Sequence, residues 1–330
     1  MSEEVIIGQW IVIRQKFYSL TTNHYPLSTF LRSSWLIFLI IVLGCSASKG
    51  REITDRSGRI VTIKNQINRI VSTAPSNTEI IADLGQAYKL VAIDRHSANV
   101  AGIPEGLPQL DFFYPDAEAI INLEPDIIIA SGHNATGTGE DPLSVLREMG
   151  IPVAYISMSA GIDEIYNDVA FIADILHVEK EGERLINSMR TQVDEITKTA
   201  VQMTANADNR KTVYFEISAA PDMMTFGKGS YINDMISVIG AKNIFGDENW
   251  LVMPGAEAVI SRNPDVILTN VNYISDPIAE IKSRPGFNHI NAVINNRIYQ
   301  IDTDSSVRPS SRIILALRQM SQAVYPELYE

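Results

Sequence analysis

Few residues in this 330-residue chain have the types and spacing that catalysis or metal binding requires. The nucleophile motif Gly-x-Ser-x-Gly does not occur in the sequence, and the one cysteine, Cys45, ends an apolar N-terminal segment. The glycine-rich segment 132–139 lacks the Gly-Lys-Ser/Thr ending that binds nucleotide phosphates. The five histidines form none of the close pairs with which helices hold zinc. These patterns favour a protein that is not an enzyme and that holds no cofactor and no resident metal.

Residues suited to ligand contact follow the predicted strands. His96 and His133 each follow a predicted strand end, where open α/β sheets bind ligands. Arg95 and Arg308 lie beside a strand end or loop, where a guanidinium could hold an anionic group of a ligand. Arg95 is equally well interpreted as an exposed structural arginine.

Aromatic residues occupy corresponding places in the two halves of the chain. Phe112, Phe113 and Tyr114 precede one segment of an internal repeat, and Trp250 precedes the other. Phe226 follows a pair of methionines. Aromatic side chains on matched loops are typical of the walls of a cleft for a large, partly apolar ligand. The alternative is that they fill the cores of the two halves.

The repeat itself relates residues 117–129 to residues 256–268. In both copies Ala-Glu-Ala begins a short helix, Pro-Asp ends it, and an apolar strand follows. Glu118 and Glu257 are equivalent residues at the two helix starts, where a carboxylate complements the helix dipole. Two exposed carboxylates, one in each half, could also hold a basic partner at two points.

Continuous apolar runs bounded by glycine or proline alternate with helical patterns, which predicts an α/β protein with buried parallel strands. Together with the repeat, this pattern predicts two similar Rossmann-like lobes joined by a single long helix. Apolar residues recur at three- and four-residue spacing across the join. We therefore predict an N-terminal lobe at 51–178, a bridging helix at 179–208 and a C-terminal lobe at 209–330.

Residues 1–44 are predicted to be a signal or leader segment. The apolar run 35–43 is too short to span a membrane but fits the core of a secretory signal. Val-Leu-Gly-Cys at 42–45 resembles a bacterial lipobox, which would make Cys45 a lipid-modified N-terminus followed by a tether at 45–50. The alternative is a buried strand or helix that ends at Cys45. Glu3, Glu4 and the length before the apolar run are unusual for such a leader.

The overall charge bears on possible partners. The formal net charge is −12 and the sequence pI is near 4.9, so the chain is poorly suited to neutralise the phosphates of a nucleic acid. We expect no nucleic-acid partner.

Four groups of residues carry a family resemblance. They are Ile-Val-Ser-Thr-Ala-Pro-Ser-Asn-Thr-Glu at 70–79; Ala-Glu-Ala-Ile at 117–120 with Glu-Pro-Asp at 124–126; Phe-Gly-Lys-Gly-Ser at 226–230 with Gly-Ala-Lys-Asn-Ile-Phe at 240–245; and Arg-Pro-Ser-Ser-Arg-Ile-Ile at 308–314. Together they resemble the class III (helical-backbone) substrate-binding proteins of ABC importers, which deliver iron–siderophores, haem and vitamin B12. The resemblance covers about residues 52–328.

This resemblance implies a ligand cleft between two lobes that close little on binding, and a glutamate on each lobe that docks on arginines of the membrane permease. Glu118 and Glu257 match those docking positions. The neighbourhood of the motifs also places Pro75, Ser76 and Asn77 in the cleft.

The function expected from these observations is a lipid-anchored, monomeric receptor at the cell envelope. It would capture a ferric siderophore and pass it to the transmembrane subunits of an ABC permease. A cobalamin or haem receptor of the same class is the alternative. A surface-bound enzyme and an adhesion or scaffold lipoprotein are two further possibilities.

Overall fold

The structure, a computed structural model, describes residues 50–111, 113–136, 141–203 and 210–328. The predicted leader, Cys45 and Phe112 therefore lie outside the described residues. Within them, no helix is long and apolar enough to cross a membrane.

The first half of the chain contains seven strands and five helices among the described residues. They are β1 (Arg51–Thr54), β2 (Ile60–Ile63), β3 (Ile70–Ser72), α1 (Pro75–Asp83), β4 (Leu90–Asp94), β5 (Gln109–Leu110), α2 (Ala117–Asn122), β6 (Ile127–Ser131), α3 (Gly132–Thr136), α4 (Ser144–Glu148), β7 (Val153–Ile156) and α5 (Ile162–Leu176).

Five of these strands form a parallel sheet in the order β5-β4-β3-β6-β7. Every residue of β3, β6 and β7 is buried, because helices cover both faces of the sheet. α1 and α5 pack on one face through residues such as Ile81 and Ile172. α2 and α4 pack on the other through Ile120 and Leu146.

A long helix, α6 (Glu179–Met203), follows, and the second half of the chain then contains six strands and six helices. They are β8 (Thr212–Glu216), β9 (Thr225–Phe226), α7 (Tyr231–Val238), β10 (Lys242–Asn243), β11 (Leu251–Val252), α8 (Ala256–Arg262), β12 (Val266–Thr269), α9 (Pro277–Ser283), α10 (Asn291–Ile294), β13 (Ile298–Gln300), α11 (Thr303–Val307) and α12 (Ile313–Val324).

The second sheet is also parallel, in the order β10-β8-β12-β13. α7 and α12 cover one face through residues such as Ile236 and Leu317. Val259 of α8 and Phe287 belong to the core on the other face. β9 and β11 form a separate antiparallel pair.

The bridging helix α6 contributes to the cores of both halves. Leu185 and Ile186 pack against the core of the first sheet and also against that of the second. Met189 and Ile196 are buried in the second. Two α/β units joined by one long helix confirm the predicted fold class. Residues 204–208 of the predicted helix lie outside the described residues, and the lobe boundaries stay predictions.

The sequence repeat corresponds to a repeated structural unit. Its first copy forms α2 and β6, and its second forms α8 and β12. The aspartate of each Pro-Asp pair accepts a backbone hydrogen bond from the chain entering the neighbouring strand. Asp126 accepts from the N–H groups of Asn68 and Arg69 at 2.8 and 3.0 Å, and Asp265 accepts from that of Thr212 at 2.9 Å. Each aspartate thus ties its strand to the one beside it.

Candidate ligand-binding cleft

A cavity of about 600 Å³ opens where the carboxyl ends of the two sheets face each other. Residues following β3, β4, β6 and β7 line it from the first half, and residues following β8, β12 and β13 line it from the second. This is the part of an open α/β sheet at which ligands bind. The volume lies within the roughly 300–1,000 Å³ usual for small-molecule and cofactor sites.

Most residues predicted to contact a ligand line this cavity. They are Pro75, Ser76, Asn77, His96, Phe113, His133, Phe226, Trp250 and Arg308. Arg95 and Tyr114 do not belong to the lining of the cavity, and Phe112 lies outside the described residues.

Two aromatic side chains from the second half form one wall. The rings of Phe226 and Trp250 meet edge to face, with centroids 5.5 Å apart. Phe113, from the first half, is more than half exposed at the opening. Phe226 also packs against the core of the second sheet, so it belongs to a core as well as to the wall of the cavity.

Gly227 holds Trp250 beside Phe226. Its N–H donates to the Trp250 carbonyl at 2.7 Å, and Trp250 has a left-handed φ of 51°. A Cβ at Gly227 would lie 2.3 Å from the carbonyl oxygen of Glu248, which is backbone and cannot rotate away. Only glycine therefore permits this close approach of the two segments.

The two histidines lie on the first-half side of the cavity. The ring of His133 lies at the start of α3, with Nδ1 at 3.2 Å from Ser131 Oγ. Desolvation by the surrounding protein lowers the pKa of His133, which favours the neutral form of its ring. His96 uses its backbone instead: its N–H donates to Asp94 at 2.8 Å, and its carbonyl accepts from Arg308 at 2.9 Å.

Arg308 is almost fully buried at the edge of the cavity and is engaged by acidic groups. Its Nη1 lies 2.9 Å from Glu79 Oε1, and its Nη2 lies 2.8 Å from Asp304 Oδ1. Ser310 Oγ donates to the second oxygen of Glu79 at 2.5 Å. Burial raises the pKa of Glu79, although these hydrogen bonds and the charge of Arg308 oppose the shift. The positive charge of Arg308 is therefore balanced within the protein.

Arg95 has an exposed position and forms an ion pair with Asp111. The ion pair with Asp111 and the absence of Arg95 from the cavity lining agree with the alternative interpretation of Arg95 as a structural residue.

Sequence reasoning missed several polar residues of the cavity. Ser157 and Ser159 follow β7, Asn272 follows β12, and Thr303 begins α11. His96 and His133 were selected by the strand-end rule, that open α/β sheets bind ligands at the carboxyl ends of their strands. The same rule applies to the residues after β7 and β12. Serine and asparagine in loops otherwise carry too weak a signal to be singled out.

Glu118 and Glu257 lie outside the cavity lining and are exposed. Each is the second residue of its helix, α2 or α8, and these helices occupy equivalent places in the repeat. The Glu118 N–H donates to Asp116 at 3.0 Å, which caps the helix start. Each half of the molecule therefore presents one outward-facing carboxylate at an equivalent position.

The sequence and the structure are similar to known proteins over most of their length. The profile of a family described as "Periplasmic binding protein" matches residues 70–305. An uncharacterized ABC transporter substrate-binding lipoprotein, YvrC of Bacillus subtilis, is 30% identical over 84% of this chain and 86% of its own. A vitamin B12-binding protein of Vibrio cholerae is 26% identical over 76% of this chain and 87% of its own.

Among solved structures, a possible iron-binding (periplasmic solute-binding) protein from Staphylococcus epidermidis is similar. It is 31% identical, with a TM-score of 0.70, and the match covers 79% of this chain and all of that one.

Proposed function

The chain belongs to the periplasmic binding protein family, and from this premise we propose that it is the substrate-binding protein of an ABC importer, capturing a ferric siderophore. The observation that carries the proposal is the cavity of about 600 Å³ at the facing strand ends, with aromatic residues from both halves around it. Its lining contains hydroxyl, amide and aromatic groups, which suit a large ligand that has apolar faces and polar edges. The similarity of most of the chain to an ABC transporter substrate-binding protein supports the transport role.

A cobalamin receptor is the second candidate. Several relatives are vitamin B12-binding proteins that match three quarters or more of this chain at 24–26% identity. The same aromatic wall would suit the flat face of a corrin ring.

The alternatives outside the importer class have less support. A scaffold lipoprotein would present a flat surface between the halves, where the structure has a cavity. An enzyme would use a nucleophile beside a base, and Ser131 Oγ lies 3.2 Å from His133 Nδ1. The same hydroxyl accepts the His133 backbone N–H at 3.2 Å, which is the usual local geometry where a serine precedes a helix.

Isothermal titration of residues 46–330 with ferric siderophores, cyanocobalamin and haem tests the proposal. We expect micromolar or tighter binding of at least one chelate. Trp250→Ala is expected to weaken it roughly 10- to 100-fold, because aromatic anchors carry much of the energy of such contacts. Tyr88→Ala, which removes an exposed aromatic side chain outside the cavity, is the matched control. Failure of every chelate to bind would contradict the proposed function.

Membrane attachment through Cys45 is part of the proposal and rests on the lipobox pattern and on the lipoprotein relative. In a bacterial host that processes lipoproteins, Cys45→Ser is expected to release the protein from membranes, because the acylated residue would be lost. Fractionation followed by immunoblotting measures this release. Ser46→Ala, next to the same residue, is the control, and unchanged partitioning of Cys45→Ser would contradict the anchor.

A further inference from the structure

The cavity contains no unbalanced lysine or arginine among the residues that the structure describes. Arg308 is the one permanently charged base in that lining. Its side chain is 6% exposed, and both Glu79 and Asp304 lie within 3 Å of its guanidinium. Arg312 lies farther from Glu79, at 3.8 Å. Glu79, which is buried, and Asp304, which is partly exposed, therefore offset the charge of the buried base before any ligand arrives.

Two other bases close to lining residues are also paired, whereas Lys228, between the lining residues Phe226 and Ser230, is exposed and lies outside the lining. Arg56, whose carbonyl accepts from the cavity residue Ser157, forms ion pairs with Glu164 and Asp168. Arg95 forms one with Asp111. The undescribed segment 137–140, which follows α3, is Gly-Thr-Gly-Glu and contains no lysine or arginine.

A multiply charged anion would be costly to bury here. Moving a charge out of water costs several kcal/mol unless a counter-charge or several hydrogen bonds replace the solvent. The net charge of −12 also repels anions at longer range. A neutral ligand incurs neither cost, and its polar atoms can bond to uncharged side chains such as Ser76, Ser157 and Asn272.

We propose that the cleft selects an electrically neutral metal chelate and discriminates against chelates that carry several negative charges. This inference rests on the proposed function and narrows it to one class of ligand. Neutral tris-hydroxamate ferric complexes and corrinoids share this chemistry. Ferric tris-catecholates, haem with its two carboxylates, and bare oxyanions do not.

Calorimetric titration with chelates of different charge tests the inference. Ferric ferrichrome and cyanocobalamin are the neutral probes and distinguish the two sources. Ferric enterobactin, haem and molybdate are the anionic probes. We expect at least one neutral probe to bind roughly 100-fold or more tightly than every anionic probe, a difference of about 2.7 kcal/mol.

The outcomes separate the two proposals. An anionic probe that binds as tightly as the neutral ones would overturn the inference and leave the proposed function intact. If no probe binds, the proposed function fails and the inference fails with it.

A charge-insertion variant tests the cause of the selectivity. Asn272 is exposed at the cavity, so Asn272→Arg adds a positive charge without filling the core. We expect it to raise the affinity for ferric enterobactin about tenfold or more relative to Asn272→Gln, because a counter-charge at the cavity offsets the charge of the anion. Asn272→Gln is the uncharged control, and thermal melting verifies folding. Unchanged enterobactin affinity in Asn272→Arg would contradict the electrostatic argument.

Discussion

At the residue scale, the cleft is built from neutral and internally balanced groups. Arg308 illustrates this: the guanidinium that would suit an anionic ligand is held by Glu79, Asp304 and the carbonyl of His96. Its first role in the structure is to join α1 to the segment after α11. Under the proposed function, we expect the ligand contacts to come from the aromatic rings and from serine and asparagine side chains, which supply shape and hydrogen bonds without charge.

Asp168 contacts Ser159, a residue of the cavity lining, and its protonation changes with pH. It is buried on α5, and it accepts from Arg56 Nε at 2.8 Å and from Ser159 Oγ at 3.1 Å. Burial raises the pKa of Asp168 to about 6, and the contacts with Arg56 and Ser159 only partly oppose this shift. The unfolded chain has the ordinary value, about 3.9. The folded protein therefore binds this proton more tightly, so its contribution to stability is complete below about pH 4 and is lost as the pH rises through 6.

We expect the free energy of unfolding of the wild type, relative to Asp168→Asn, to fall by about 2–3 kcal/mol between pH 4 and pH 7. Urea unfolding of both proteins at several pH values in this window measures the difference. Glu183→Gln, which alters an exposed residue of α6, is the control. A difference that increases with pH would show that attraction to Arg56 outweighs burial.

At the element scale, the segment joining β9 to α7 positions the aromatic wall. Gly227 contacts the backbone of Glu248 and Phe245 so closely that a methyl group cannot fit. Ser230 then begins α7 by accepting the Asn233 N–H at 3.2 Å. The Phe-Gly-Lys-Gly-Ser motif is thus a close backbone contact followed by a helix cap, and it places Phe226 against Trp250.

Gly227→Ala is expected to weaken ligand binding roughly tenfold or more, because the chain carrying Trp250 must move to relieve the clash, and to cost about 1–3 kcal/mol of stability. Calorimetric titration and urea unfolding measure the two effects. Gly58→Ala is the matched control: Gly58 has a φ of +85° in the β1–β2 turn, with open space around its Cβ position. It should lose about 1 kcal/mol of stability and retain full affinity. Equal effects of the two substitutions on binding would contradict the positioning role of Gly227.

At the scale of the whole molecule, several sets of contacts connect the halves, and two of them bear on the cleft. The first is α6, whose Leu185 and Ile186 pack into both cores. The second is the polar cluster of Glu79 with Arg308 and Ser310, to which the bond of Asn99 to Asp304 at 2.6 Å adds. A buried ion pair is costly to break, because it leaves one charge unpaired in the interior. These contacts favour a cleft that is largely formed before the ligand binds.

Docking to the permease is the function expected of the molecule as a whole. We predict that Glu118→Lys combined with Glu257→Lys abolishes chelate uptake by the intact importer, because the lysines that replace the two outward carboxylates would repel a basic surface on the permease. Ligand affinity should be unchanged, since neither residue lines the cavity. Uptake of the radiolabelled chelate by cells and calorimetry of the purified protein measure the two properties.

Glu183→Lys combined with Glu195→Lys makes the same change in charge at exposed positions of α6 and is the control. Normal uptake with Glu118→Lys and Glu257→Lys would contradict the docking role, and so would an equal loss of uptake in the control.

The sequence by itself determined the architecture, because the signals for it are local or repeated. The apolar runs that become β6 and β12, the spacing of apolar residues along α6, and the copy of α2–β6 in α8–β12 are all visible without a fold. The strand-end rule likewise selected His96 and His133, which line the cavity.

Only the tertiary structure decided how the site is charged and which loop residues complete it. Arg308 and Glu79 are separated by 229 residues, so no local pattern could show that the arginine arrives at the cavity with its charge balanced. The contribution of Ser157, Ser159 and Asn272 likewise depends on how the two sheets face each other. Periodicity reports which face of an element is buried, whereas the partner of a buried charge is set by the packing of distant segments.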